Sequence, residues 1–292
     1  MLSLDEALNR AQSLVDAARK AGADAADAVY GCDASAGVSV RLGQLEDIER
    51  SESEHVGLRV FVGQRSATVS SSDLAPRTLE TLVERVIAMA KEAPEDKYAG
   101  LAPEDRLMRK KLPNLDIDDG EEPDMAQLRA RALEVEDAAR SVTGVTNSEG
   151  GGAGHGRAQA ALVTSHGFAS AYAGTQYSIW ASVLAGEGAN MQRDHASHTA
   201  RHLDDLELPE SIGQRAGTRA VARLNPRRVP SGTMPIIFDP RVGNSLIGHL
   251  LGAMSGPSVA RKASFLLGKK GAAILPAGLS VIDDPLRVRG LR

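Results

Sequence analysis

Residues 55–71 read His55-Val-Gly-Leu-Arg-Val-Phe-Val-Gly-Gln-Arg-Ser-Ala-Thr-Val-Ser-Ser71. Two strand-like runs, His55–Val62 and Ser66–Ser71, flank Gly63-Gln64, and a glycine at that place suits the tight turn of a hairpin. A connection this short joins strands only when they run antiparallel, because a parallel pair needs a long crossover. The turn therefore directs the chain toward an antiparallel sheet and away from a doubly wound parallel one.

Upstream, Ala25–Tyr30 and the strictly alternating Val38-Ser-Val-Arg-Leu42 add strands, followed by a polar stretch, Gln44–Glu54. The chain opens with Ser3-x-x-Glu6, a capping-box pattern, and Leu4, Leu8, Ala11, Val15 and Ala18 then recur on one helical face as far as Gly22. A second helix follows Asp73-Leu-Ala-Pro76, with Leu79, Leu82, Val83, Val86 and Met89 turned inward. Residues 1–92 thus read as an α+β segment.

Residues 93–123 change character. Pro94, Pro103, Pro113 and Pro123 punctuate an acidic stretch containing Asp116, Asp118, Asp119, Glu121 and Glu122. It lacks the turn glycine and closing glutamate of a calcium loop, so it reads as a solvated linker.

Residues 124–225 repeat the first plan. A helix begins at Asp124-x-x-Gln127 and runs to Arg140; strands are expected over Val145–Ser148, Ala158–Thr164, Phe168–Ala173 and Gln176–Ala185; a helix over Pro209–Leu224 stops at Asn225-Pro226. Ser165-His166-Gly167 marks a hairpin, and Tyr177, Ile179, Ala181 and Val183 share one strand face. The run Gly150-Gly-Gly-Ala-Gly-His-Gly156 matches neither a dinucleotide nor a Walker loop and is expected to be a turned connection between strands.

Two places hold candidate ligands for a metal. His195, His198 and His202, with Asp194, would share a face on a helix, but on a strand His195 and His198 point to opposite sides. The polar, sparsely apolar segment favours a structural strand or interface over a metal site. The other place is the helix expected after the short apolar strand Pro235–Phe238 and the turn Asp239-Pro240-Arg241: Val242-Gly-Asn-Ser-Leu-Ile-Gly-His-Leu-Leu-Gly-Ala-Met-Ser-Gly256. Leu246, Ile247, Leu250, Leu251 and Met254 predict a helix that buries one wide face.

Composition narrows the function classes. Thirty-four basic against 38 acidic residues leave a net charge of −4, which gives no general attraction to nucleic acid, and 3% aromatic residues leave few platforms for base stacking. There is neither a leader-like N-terminus nor a run of some eighteen apolar residues, so a cytoplasmic protein away from membranes is expected. The single cysteine, Cys32, rules out an internal disulfide and is expected to be a small packed residue.

Phe238-Asp-Pro-Arg241, the helix that follows, Ser258-Val-Ala-Arg-Lys-Ala-Ser-Phe-Leu266, Leu275-Pro-Ala-Gly-Leu-Ser-Val-Ile-Asp-Asp-Pro285 and Arg289-Gly-Leu-Arg292 together resemble the TldD/PmbA family, once called modulators of DNA gyrase. The resemblance spans nearly the whole chain. It implies an α+β fold in which two helix–antiparallel-strands–helix segments precede a β-rich C-terminal domain, begun here at residues 226–292 and incomplete because family members continue further. Arg193-Asp194 and Ala200-Arg-His202 also resemble a polar stretch of the family.

Within that family the catalytic TldD branch carries His-Glu-x-x-x-His on the equivalent helix as part of a zinc peptidase site. Laid over this chain, the pattern puts Gly248 and Ala253 where the histidines would be and His249 where the glutamate would be. A catalytic zinc takes three protein ligands and an open water position, which one histidine cannot supply. No catalytic, cofactor or metal residue is therefore assigned, and His249 is expected to be hydrogen-bonded at a domain or subunit contact.

The resemblance thus implies a PmbA (TldE)-type subunit of a TldD–TldE metallopeptidase that cleaves unfolded peptides, in peptide-antibiotic maturation, antitoxin degradation or gyrase modulation. Zinc would belong to the TldD-type partner, and unfolded peptides would be held by strand addition. The alternative is a stand-alone peptide-binding or structural homodimer with no protease partner; an independent zinc hydrolase using His195, His198 or His249 ranks last.

Overall fold

Ser3 Oγ accepts the Glu6 N–H at 3.2 Å while the Glu6 carboxylate accepts the Ser3 N–H at 2.8 Å, so the expected capping box starts helix α1 (Leu4–Lys20). This is a computed structural model that describes residues 2–109 and 113–291. The elements after α1 are β1 (Ala25–Arg41), β2 (Gln44–Val62), β3 (Arg65–Ser71), α2 (Pro76–Glu92), α3 (Met125–Arg140), β4 (Val145–Thr164), β5 (Ala169–Ala185), β6 (Gln192–Ala200) and α4 (Pro209–Ala222). Asp124 and Gln127 form the second capping box, at the start of α3.

The strands make one sheet of order β3-β2-β1-β4-β5-β6, antiparallel at every pairing. The protein is accordingly α+β, with the hairpins at Gly63 and Gly167 as the turn chemistry requires. Residues 1–92 and 124–225 each contribute three strands, joined where β1 lies against β4. One face carries Ala26, Ala28, Tyr30, Val56, Leu58, Val60, Ala161 and Val163 beneath α1 and α2. Further along, Tyr177, Ile179, Ala181 and Val183 lie beneath α3 and α4. Cys32 is buried and free, as expected.

Several elements differ from the sequence reading. The run Gly150–Gly156 lies inside β4 instead of connecting two strands. Its glycines answer to close approach: a Cβ at Gly151 would lie 2.9 Å from the Ala132 carbonyl oxygen of α3, and one at Gly152 would collide with the Trp180 indole across the strand pair. β1 and β2 are each continuous, so the polar run Gln44–Glu54 is half of a long strand. Met89, expected inward, is 46% exposed because Leu82, Val83, Val86, Ile87 and Ala90 already fill the inner face of α2.

Residues 113–121 hug the sheet. Ile117 O accepts the Thr175 N–H at 2.8 Å, Thr175 Oγ1 accepts the Asp119 N–H at 2.9 Å, and Arg157 reaches Asp118 at 2.8 Å.

Met1–Pro226 with Pro285–Arg292 form one compact unit and Arg227–Asp284 a second. The second unit holds helices α5 (Pro240–Met254) and α6 (Gly256–Ala260), and Ser264 Oγ donates to the Ala253 carbonyl at 2.6 Å. Pro235–Phe238 is unpaired coil, because no described strand offers it a ladder partner. The apolar face of α5 is uncovered instead of buried: Leu246, Leu251 and Met254 are about half exposed, and only Ala253 is buried.

Candidate functional site

Gly248 offers no side chain, Ala253 presents a buried methyl, and His249 is exposed. One imidazole flanked by a glycine and an alanine does not fit the donor set of a zinc centre. Among the described residues, no three His, Cys, Asp or Glu side chains converge on a point that could hold a metal.

The three histidines near β6 diverge. His195 is exposed opposite Ser182, whereas His198 is on the other face opposite Ile179, where its Nδ1 accepts the Glu207 N–H at 3.1 Å. Asp194 is buried, with Arg223 at 3.4 Å. His202 lies beyond the strand, its Nε2 2.9 Å from Asp116 O and its Nδ1 3.2 Å from Asp119 Oδ1. Asp119 also accepts the Leu203 N–H at 2.9 Å. Burial pushes the Asp119 carboxyl upward, but the Leu203 N–H, the Tyr177 hydroxyl and the charges of His202 and Arg289 outweigh it and hold its pKa below the ordinary value. Arg289 bridges Asp116 at 2.6 Å and Asp205 at 2.8 Å. His202 is therefore the centre of a clasp that fastens residues 116–119 and Arg289 to the end of β6.

The face of the sheet opposite the helices is open. It presents Gly31, Asp33, Ser35 and Gly37 of β1, Gly152, Gly154 and Gly156 of β4, and Ser178 and Trp180 of β5. A concavity of about 480 Å³ lies over its centre, with Asp33, Glu49, Gln176 and Arg201 among its walls. Toward the β4–β5 hairpin this face turns apolar, and a cavity of about 680 Å³ is lined by Val29, Leu162, Phe168, Tyr172 and residues 113–118. Neither feature was anticipated. A signal existed in the lengths: a long β5 beside a polar β6 of nine residues must leave part of β5 at an edge.

With this geometry in hand, comparison with known proteins gives three consecutive family matches. They are described as PmbA/TldA metallopeptidase domain 1 over residues 27–90, central domain over 118–224 and C-terminal domain over 231–292. The chain belongs to the PmbA/TldD family. It is 33% identical over 291 residues to Metalloprotease PmbA of Escherichia coli O157:H7, covering 99% of this chain and 63% of that protein. A PmbA homologue of Haemophilus influenzae is 32% identical, covering 95% and 61%. The chain thus spans less than two thirds of the length of these relatives.

The PmbA/TldD fold extends to solved structures. A protein described as a modulator of DNA gyrase from Bacteroides thetaiotaomicron superposes with a TM-score of 0.85 at 24% identity, covering 92% of this chain and 61% of that one. TldE from Thermococcus kodakarensis superposes at 0.71 and 18% identity, covering 89% and 58%. No described helix of this PmbA/TldD member is long and apolar enough to cross a membrane.

Proposed function

We propose that this chain is the PmbA/TldE-type subunit of a two-component metallopeptidase that cleaves unfolded peptides, and that its partner, a TldD-type subunit, carries the zinc. The observation that carries the reading is the donor set of α5: Gly248 and Ala253 stand where two ligands would be needed, and His249 alone cannot complete a centre. The relatives bear the name metalloprotease, so the family context is proteolysis, while the work of this chain is to bind and present peptide. No step of hydrolysis is assigned to its residues.

The test is co-purification with a TldD-type protein from the same organism, followed by cleavage of an unfolded peptide and elemental analysis. Cleavage is expected only from the pair, with zinc following the partner and unchanged by His249→Ala. One tightly bound zinc per isolated chain, lost on His249→Ala, would refute the reading. Failure to pair, with a stable homodimer in its place, would favour the stand-alone binding protein.

A further inference from the structure

β6 pairs with β5 only from Tyr177 to Ala185, so Ala169–Gln176 has β4 on one side and no strand on the other. The direction of each backbone group follows from Thr175. Its N–H donates to Ile117 O at 2.8 Å and its carbonyl accepts from Arg201 Nη1 at 3.0 Å, both away from β4. The β4–β5 register is regular from Thr175 to the hairpin, and antiparallel strands alternate, so the N–H and C=O of Ala173, Ala171 and Ala169 face the same open side. Among the described residues none of these three N–H groups has a hydrogen-bond partner on that side.

Natural sheets usually blunt such an edge with charge, proline or a covering element. Here the edge reads Ala169-Ser-Ala-Tyr-Ala173, with neither charge nor proline, and residues 113–118 run beside it but, among the described residues, take a backbone N–H of β5 only at Thr175. Beside it lies the cavity lined by Val29, Leu162, Phe168 and Tyr172, within the range of ligand-binding volumes. An unpartnered backbone edge beside an apolar trough fits one occupant, an extended peptide whose main chain pairs and whose alternate side chains bury.

We infer that the open edge of β5 at Ala169, Ala171 and Ala173 captures an extended apolar peptide segment as an added strand, its alternate side chains resting in the cavity beside Leu162 and Tyr172. The inference rests on the peptide-handling role proposed above and gives that role a place. Affinity from main-chain hydrogen bonds tolerates many sequences, while the cavity favours apolar residues at every second position.

The test uses the whole chain without a protease partner and a short fluorescein-labelled peptide of alternating valine and threonine. Anisotropy is expected to saturate with the parent, and Ala171→Pro, which deletes an outward N–H without touching the β4 ladder, is expected to weaken binding about tenfold, as is Leu162→Glu. The same peptide N-methylated at alternate residues should bind no better than background in one of its two registers. Hydrogen exchange on the parent decides the matter should a variant fail to fold. Slower exchange at Ala169, Ala171 and Ala173 on adding peptide supports the site, and unchanged exchange there overturns it. The two readings fail separately: if the chain ignores the peptide alone yet supports cleavage with a TldD-type partner, this site falls and the subunit assignment stands. If the edge binds peptide but no partner is found, the reverse holds.

Discussion

The Glu136 carboxylate of α3 accepts the Leu42 backbone N–H at 2.7 Å, reaching across to the turn between β1 and β2. The same side chain, fully buried, also takes the Gly43 N–H at 2.8 Å and the Ser148 hydroxyl at 2.5 Å. Leu42 and Gly43 both hold positive φ, 52° and 76°, so the carboxylate fastens a turn whose backbone is otherwise costly at Leu42. It thereby ties the first strand pair to a helix of the second segment.

Glu136→Gln should therefore destabilise the chain more than an ordinary surface change. One carboxylate oxygen becomes an NH₂ facing a donor, and a buried polar group left unmatched costs about 1–3 kcal/mol. Glu136→Ala should cost at least as much. Urea unfolding followed through Trp180, the single tryptophan, would show the lower midpoint; an unchanged midpoint would mean that water replaces the carboxylate without penalty.

Two glycines of α4 give a sharper contrast with α5. A Cβ at Gly213 would press on the Val135 carbonyl and lie 2.6 Å from the Ala138 Cβ, and one at Gly217 would lie 2.6 Å from Val142 Cγ2. Nothing lies within 4 Å of the same position at Gly252. Helix propensity favours alanine by about 1 kcal/mol at all three, but overpacking costs about 1–3 kcal/mol where helices touch. Gly213→Ala and Gly217→Ala should lower stability, whereas Gly252→Ala should leave it equal or slightly higher. Circular dichroism melts of the three variants would check the order.

This contrast also explains what was legible in the sequence. Signals completed within a few residues came through: the Ser3/Glu6 and Asp124/Gln127 boxes and the turns at Gly63 and Gly167. Gly150–Gly156 did not, because its glycines answer to Trp180 and to the α3 backbone, which local reading cannot see. His202 was hidden for the same reason, its partner Asp116 being 86 residues away. The apolar periodicity of α5 established a helix and said nothing of what covers it. On the candidate site, donor chemistry at Gly248 and Ala253 was readable from residue type alone, while the open edge of β5 emerged only from strand pairing.

His155 supplies a pH dependence. Its ring is buried against Tyr177, with centroids 5.0 Å apart, and burial holds its pKa below the ordinary 6.5. The unfolded chain therefore binds a proton at a higher pH than the folded chain does. Stability from the neutral buried ring is full above about 6.5 and is lost as the pH falls from there through the folded-state pKa. Replacing it by His155→Phe keeps a ring beside Tyr177 and should flatten that part of the profile. Unfolding midpoints measured at intervals through this window would test the sign, and an identical slope in both proteins would remove His155 as its source.

The bare surface of α5 bears on the proposed pairing. Gly243, Gly248, Gly252 and Gly256 each have open space where a Cβ would stand, so no close contact within the described chain accounts for four glycines along one helix and its end. Each interior glycine costs roughly 1 kcal/mol relative to alanine in an isolated helix. The relatives continue beyond this span, so the offsetting contact comes either from the rest of that domain or, in the proposed assembly, from a partner backbone approaching α5 near His249. Gly252→Leu separates the two possibilities, because the isolated chain has room for the side chain while a tight joint does not. The variant should match the parent in its own unfolding midpoint, yet pair less tightly with a TldD-type subunit and give slower peptide cleavage, the overpacking cost being about 1–3 kcal/mol at the joint. If Gly252→Leu pairs and supports cleavage as well as the parent does, no backbone packs on α5 there and its glycines are incidental to assembly.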